Sequence, residues 1–242
     1  MVMANVLYLV HRLPYQPNKW DKVRSYHLLK HLAVKHRVFL GTFVDDPDDM
    51  PFVENVRALC EDMHFAPLNP KWAKLRSLSA FVDGRPLSLA YYADKSMRDW
   101  VDRVCAEHRM HAIVVFSSAM GQYAERAVAS CDGPLLVDFV DVDSTKWTQY
   151  ANNHRWPLSW IYSREGARLL SYERRLARRA SRSFFVTDNE VALFNRLAPE
   201  SAGSVLAVGN GVDAQYFSPD DQRPNPYPAI EYAVVFTGAM DY

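Results

Sequence analysis

The run Val137-Asp138-Phe139-Val140-Asp141-Val142-Asp143-Ser144-Thr145-Lys146-Trp147 holds three carboxylates in and just after an apolar segment that reads as a strand. Side chains alternate along a strand, so Asp138, Asp141 and Asp143 fall partly on different faces. Past the strand's end the backbone is free to gather Asp141 and Asp143 around a sugar hydroxyl or a metal ion. A carboxylate in an interior segment is costly unless paired or hydrogen-bonded. The same run therefore also reads as an ion-pair cluster, with Lys146 and the arginines of residues 164–182 as partners. Both readings stand on the residues alone.

Other polar groups follow apolar strand-like runs, the place where ligands bind in open α/β sheets. After residues 5–10 comes a long loop feeding a helix N-terminus, where anions are favoured. It offers Arg12, Asn18, Lys19, Asp21 and Lys22 as substrate contacts, with Asp21 equally suited to a plain helix cap. After residues 112–116, Ser117 and Ser118 stand at the mouth of the next helix, as ligands or as its cap. His27 and His31 have a metal-capable i, i+4 spacing without a third ligand, and no metal is expected. Cys60, Cys105 and Cys131 are an odd set without paired spacing, which argues against a disulfide framework or zinc knuckle and for a reducing cytoplasm.

The elements that must position these groups alternate in type. Strands are expected at 5–10, 38–44, 63–67, 112–116, 135–140, 184–187 and 205–208, mostly apolar throughout, as central parallel strands are. Between them, helical period predicts helices from Asp21 (inward Val23, Tyr26, Leu29, Ala33), at 53–61, 96–108, 120–130 and 158–182. The last has Tyr162, Leu169, Tyr172, Leu176 and Ala180 as its inward stripe and a net charge of +5 over residues 164–182. The fold class is α/β, a doubly wound, Rossmann-like parallel sheet. Residues 1–218 form one domain, the proline-rich 219–231 a linker, and 232–242 the first strand of a second domain.

Composition narrows the function classes. The 242 residues are 49% hydrophobic, enough for a core, and their 28 basic and 28 acidic side chains cancel, so no global field draws the chain to nucleic acid. No apolar run approaches the ~18 residues of a bilayer span, and no secretory signal is expected. Residues 71–81 combine Lys71, Lys74 and Arg76 with Trp72, Leu75, Leu78 and Phe81 at i, i+3 spacing, which fits a helix lying on a membrane interface or an ordinary packed helix.

Two families share short motifs with the chain. Asp141-Val142-Asp143-Ser144-Thr145 resembles the Asp-x-Asp-x-Thr signature of haloacid-dehalogenase-like phosphatases, although there the motif follows the first core strand and here the fifth. The broader likeness, over residues 4–242, is to the amino-terminal half of GT-B glycosyltransferases of the retaining family 4 type, in particular sugar transferases of bacterial exopolysaccharide and PEP-CTERM/exosortase systems. Its marks are His11-Arg12-Leu13-Pro14-Tyr15, Asn18-Lys19, Asp21-Lys22, Arg24-Ser25-Tyr26-His27-Leu28-Leu29 and Leu40-Gly41-Thr42-Phe43-Val44-Asp45-Asp46. Further along come Val115-Phe116-Ser117-Ser118-Ala119-Met120, Val137 to Ser144, Asn210-Gly211-Val212-Asp213 and Phe236-Thr237-Gly238-Ala239-Met240-Asp241-Tyr242.

The resemblance implies two Rossmann-like domains, the first binding a saccharide or lipid-linked acceptor and the second, here almost wholly missing, binding the nucleotide-sugar donor. It implies no cofactor besides that donor substrate. Asp141 and Asp143 take the catalytic position, with Arg12, Asn18, Lys19, Asp21, Lys22, Ser117, Ser118, Asp138, Ser144, Asn210 and Gly211 as substrate contacts. Trp20 stands where the pattern has glycine, and Gly209 where it has proline. The implied function is the acceptor half of a retaining transferase, inactive alone, in the cytoplasm and in reach of the inner membrane face. A non-catalytic saccharide- or partner-binding remnant is the reading from another class.

Overall fold

The computed structural model describes residues 3–15, 20–128, 131 and 133–212, with 214, 218, 224 and 234 as single positions. The chain divides into two units, residues 1–210 and 211–242. The described positions of the second are exposed. The expected linker at 219–231 and strand at 232–242 lie almost wholly outside the described residues, as do Asn18, Lys19 and the side chain of Asp21.

In the first unit seven strands form one parallel sheet in the order β3-β2-β1-β4-β5-β6-β7. They are β1 (Asn5–Val10), β2 (Arg37–Val44), β3 (Asp62–Pro67), β4 (Ala112–Phe116), β5 (Leu135–Val140), β6 (Arg182–Phe185) and β7 (Val205–Ala207). Period two sorts their side chains between two cores. Leu7, Leu9, Val137 and Phe139 enter one, and Val6, Tyr8, Val10 and Leu40 the other. Helices cover both faces: α1 (Trp20–Lys35), α2 (Val53–Arg57), α3 (Pro70–Ser77), α4 (Ala80–Asp83), α5 (Leu87–Tyr91), α6 (Lys95–Glu107), α7 (Gly121–Ala127), α8 (Asp143–Asn152), α9 (Leu158–Arg179) and α10 (Asp188–Leu197).

Several boundaries differ from the sequence expectation. The helix expected at 53–61 is regular only to Arg57, and it follows a 3-10 turn at Pro47–Phe52 that contains Pro51. α7 runs to Ala127, residues 129 and 130 of the expected helix lying outside the described residues, and α9 stops at Arg179, because Ser181 already joins the sheet by donating to the Leu135 carbonyl at 2.8 Å. β6 accordingly lies two residues earlier than 184–187. Thr187 belongs to the next helix, its hydroxyl accepting from the Glu190 N–H at 3.2 Å as the N-cap of α10.

The inward stripe of α9 is also corrected. Leu169, Tyr172, Leu176 and Ala180 are buried as expected, Ala180 as the C-cap just past the helix end, but Tyr162 is only half-buried. Glu165 and Glu173, the two acidic residues within the net charge of +5, point inward and are 0% and 1% exposed. Each satisfies a helix start on a neighbouring element. Glu165 accepts from the N–H groups of Leu87 and Ser88 (2.6 and 2.9 Å) and the Ser88 hydroxyl (2.6 Å) at α5. Glu173 accepts from the Ser144 N–H (3.3 Å) and hydroxyl (2.6 Å) at α8. Orphan N–H groups at a helix start need an acceptor, and a carboxyl oxygen supplies it. Gly166 lets α8 and α9 close up: a Cβ there would sit 2.7 Å from the Thr148 hydroxyl. Thus α9 orients both helices that frame the crevice described next.

Candidate active site

The strand order reverses between β1 and β4, where doubly wound sheets bind ligands outside the carboxyl ends of the strands. A crevice of about 280 Å³ lies there. His11 and Arg12 enter it from the end of β1, Ser117 and Ser118 from the end of β4, and Asp143, Lys146, Trp147 and Tyr150 from α8. Ser88 and Tyr92 close it from the α5 side and Leu169 from α9.

Backbone strain marks both strand ends on its rim. Ser117 has φ +76° and Val140 φ +69°, the latter a β-branched residue in the left-handed region. Ser117 N–H donates to the Asp138 carbonyl at 2.8 Å, extending the β4–β5 ladder one step beyond Phe116. After Val140 the chain folds through two tight bonds, Asp141 N–H to the Phe139 carbonyl (2.9 Å) and Asp143 N–H to the Asp141 carbonyl (3.1 Å). This brings Asp141 and Asp143 to one ammonium: Lys146 Nζ donates to Asp141 Oδ2 at 2.8 Å and to Asp143 Oδ1 at 3.0 Å. Burial disfavours the charged lysine, yet Asp143 and Asp141 together outweigh it and hold Lys146 above its ordinary range. Both carboxylates remain about a third exposed.

The cluster is thus the ion pair with Lys146 that the residue types allow, but the arginines of α9 take no part among the described contacts. Arg174 pairs with Glu200, and Arg175 and Arg179 with Glu125. Lys146 occupies the place a cation would take between the two aspartates. Among the described residues no group of three or more His, Cys, Asp or Glu side chains could hold a metal ion. His27 and His31 are exposed on α1.

The remaining sequence candidates sort by face. Asp138 points to the opposite core, where Arg24 donates to its Oδ2 at 2.7 Å. Burial pushes the Asp138 carboxyl up from its ordinary value, and Arg24 opposes that. The same guanidinium donates to the carbonyls of Val208 (2.7 Å) and Gly209 (3.2 Å) and to Asn210 Oδ1 (3.2 Å). Asp138 and Asn210 therefore belong to a clasp on α1, apart from the crevice. Lys22, expected to meet substrate, is 3% exposed, its ammonium 2.6 Å from both carboxylate oxygens of Asp49. Ser144 is likewise committed inward, to Glu173. Arg12 does line the crevice and pairs with Asp45 at 2.9 Å. Gly211 opens the second unit.

Sequence reasoning passes over His11, Ser88, Tyr92, Trp147 and Tyr150 as site residues. His11 stacks on Phe116 (ring centroids 6.0 Å, interplanar angle 3°) and meets Tyr92 edge-on at 5.9 Å. Its signal was its place directly after a strand. Ser88 and Tyr92 had none, because they arrive through the capping of α5 by Glu165. Beneath the crevice, burial raises the Glu173 carboxyl to about 8, with Ser144 opposing and Asp143 reinforcing the shift.

No family model and no curated protein matches the chain. Solved structures do. The sucrose-phosphate synthase tll1590 of Thermosynechococcus elongatus superposes with a TM-score of 0.59 at 14% identity, over 90% of this chain and 50% of that one. Anabaena Alr3699/HepE, in complex with UDP and glucose, superposes with a TM-score of 0.54 at 14% identity, over 88% of this chain and 46% of that one. The chain has the Rossmann-like α/β fold of the amino-terminal half of GT-B glycosyltransferases. It spans about half the length of these structural relatives.

Proposed function

We propose that the chain is the acceptor-side half of a glycosyltransferase that moves a sugar from a nucleotide-sugar to a saccharide or lipid-linked acceptor. The observation that carries this reading is the crevice at the β1/β4 switch point, with its row of His11, Ser117, Ser118, Asp143 and Lys146. Sugar hydroxyls both donate and accept. The crevice answers with a carboxylate acceptor, an ammonium donor and two serines, while Tyr92, Trp147 and Tyr150 offer apolar ring surface to C–H faces. The fold class agrees, and one structural relative, HepE, was solved with UDP and glucose.

On this reading Asp143 and Lys146 hold an acceptor hydroxyl, and the His11 imidazole lines the crevice beside them. Asp141, on the far side of Lys146, keeps that ammonium charged and aimed. The leaving nucleotide develops negative charge that needs donors outside this crevice, and these we assign to a second domain. The isolated chain is therefore proposed to bind acceptor without turning over donor. The retaining stereochemistry and the place in exopolysaccharide assembly rest on the motif resemblance.

A chemical-shift titration with neutral and acidic oligosaccharides tests the reading. Shifts centred on Ser117, Ser118, Lys146 and the Trp147 indole support it, and loss of those shifts in Lys146→Ala would tie them to the crevice. Absence of any saccharide response, or release of sugar from a nucleotide-sugar by this chain alone, would overturn the corresponding half of the proposal. Hydrolysis of a phosphomonoester that disappears in Asp141→Asn would reassign the Asp141-to-Thr145 run to phosphatase chemistry.

A further inference from the structure

Residues 70–83 carry large apolar side chains on the side turned away from the protein. α3 and α4 are joined through Leu78 and Ser79, both in right-handed helical conformation, so the segment is nearly one continuous helix. Its inward residues are small: Ala73, Ser77 and Ala80 are buried, and α3 packs on α5. Its outward residues, at spacings of three, three and four, are Trp72, Leu75, Leu78 and Val82, exposed by 69%, 57%, 52% and 93%. This inverts the ordinary pattern of a surface helix.

The start of α9 extends the same surface with Trp156, Leu158 and Trp160, exposed by 81%, 44% and 56%. The two segments are locked together. Phe81 stacks on Trp160 with ring centroids 5.7 Å apart, and Arg164 lies 4.8 Å above the Phe81 ring. Arg164 also donates to the carbonyls of Ala80 (2.6 Å) and Arg85 (3.3 Å). Phe81, which the sequence pattern groups with the outward stripe, is thus the internal rivet of the patch. Lys71, Lys74, Arg76, Arg85, Arg155 and Arg164 accompany these segments, with Asp83 as the sole carboxylate of 70–85, and Asp83 is held by Arg85 at 2.7 Å.

We infer that this surface seats on an anionic bilayer. Tryptophan belongs at the headgroup level, the leucines and the valine reach the acyl boundary, and the bases meet anionic headgroups. Charge chooses this occupant over a second copy of the chain, which would bring one basic rim against another. A membrane surface carrying anionic lipid complements the rim instead. The inference stands apart from the sugar chemistry proposed above, since it uses no residue of the crevice.

Co-sedimentation with vesicles tests it, using phosphatidylcholine alone and an equimolar mixture with phosphatidylglycerol. The chain should bind the mixed vesicles in preference to the neutral ones, and less as salt rises. Lys71→Gln and Lys74→Gln should each lower partition about fivefold, and Trp72→Ser with Leu75→Ser at least about tenfold. Val34→Ser, an apolar residue 76% exposed on α1, should leave partition unchanged. All these side chains are exposed, so an unaltered melting temperature separates lost binding from lost fold. Equal partition onto both lipids, or none onto either, overturns the inference. So does self-association in ultracentrifugation that the Trp72→Ser/Leu75→Ser variant abolishes, which would assign the surface to a second copy.

Discussion

The face of α1 and the crevice both hold carboxylates next to bases, and they treat them oppositely. On the α1 face Lys22 and Asp49 are enclosed, and Arg24 and Asp138 nearly so. In the crevice Lys146, Asp141 and Asp143 stay in contact with water. A buried pair that loses one member leaves an uncompensated charge in the interior, whereas an exposed pair hands its survivor to solvent. The first arrangement secures structure. The second leaves charge available to a ligand, which is why Asp138 leaves the candidate site while Asp143 stays.

Thermal melts of single variants should break or sharpen this contrast. The largest effect is expected on the α1 face: Lys22→Ala should cost ~3–5 kcal/mol by stranding Asp49, seen as a large fall in melting temperature. A loss as small as that of a surface variant would show that water reaches this pair. Next in size is a pH dependence. Glu173 has its folded pKa raised from 4.5 to about 8, so the folded state holds the extra proton through that window. Stability should then fall as pH rises from about 4.5 toward about 8, by a few kcal/mol in order of magnitude, and level off beyond. Glu173→Gln keeps a neutral acceptor at Ser144 and should flatten the slope; an identical slope in the variant would place its origin elsewhere.

Smaller still is the crevice. Asp141→Asn and Asp143→Asn should each shift stability by no more than about 1 kcal/mol, while the transfer rate of the complete protein falls, more for Asp143→Asn. Large destabilisation by both would return them to the structural side of the comparison. Lys146→Ala removes the shared partner of two solvated carboxylates, and its stability change should again stay at about 1 kcal/mol. Its readout is saccharide affinity, and unchanged affinity would remove Lys146 from the site.

Much of this was legible in the chain. Continuous apolar runs located the strands, including β5 and the aspartates at its end, because a strand buried on both faces leaves little room for polar residues. The helices α5, α8 and α10 were not assigned. α5 and α8 have no side-chain cap of their own, and their starts are completed by Glu165 and Glu173 from α9. Glu190 completes the Val142 N–H in the same way, at 2.6 Å from 48 residues along the chain. Local pattern cannot report a cap delivered from so far away. α10 does carry its own cap in Thr187, but the apolar run before it reads smoothly into that residue.

The sequence by itself determined the alternation of strand and helix, the doubly wound class, and the presence of polar residues after β1, β4 and β5, since these follow from periodicity and chain order. Only the tertiary structure decided which charges stay in water. Period two sent Asp138 to Arg24 across the sheet, the tight turns after Val140 brought Asp141 and Asp143 to Lys146, and the packing of α1 enclosed Lys22 with Asp49. A charged side chain's role depends on its distance from solvent and from its counter-charge, and both are set by elements remote in the chain.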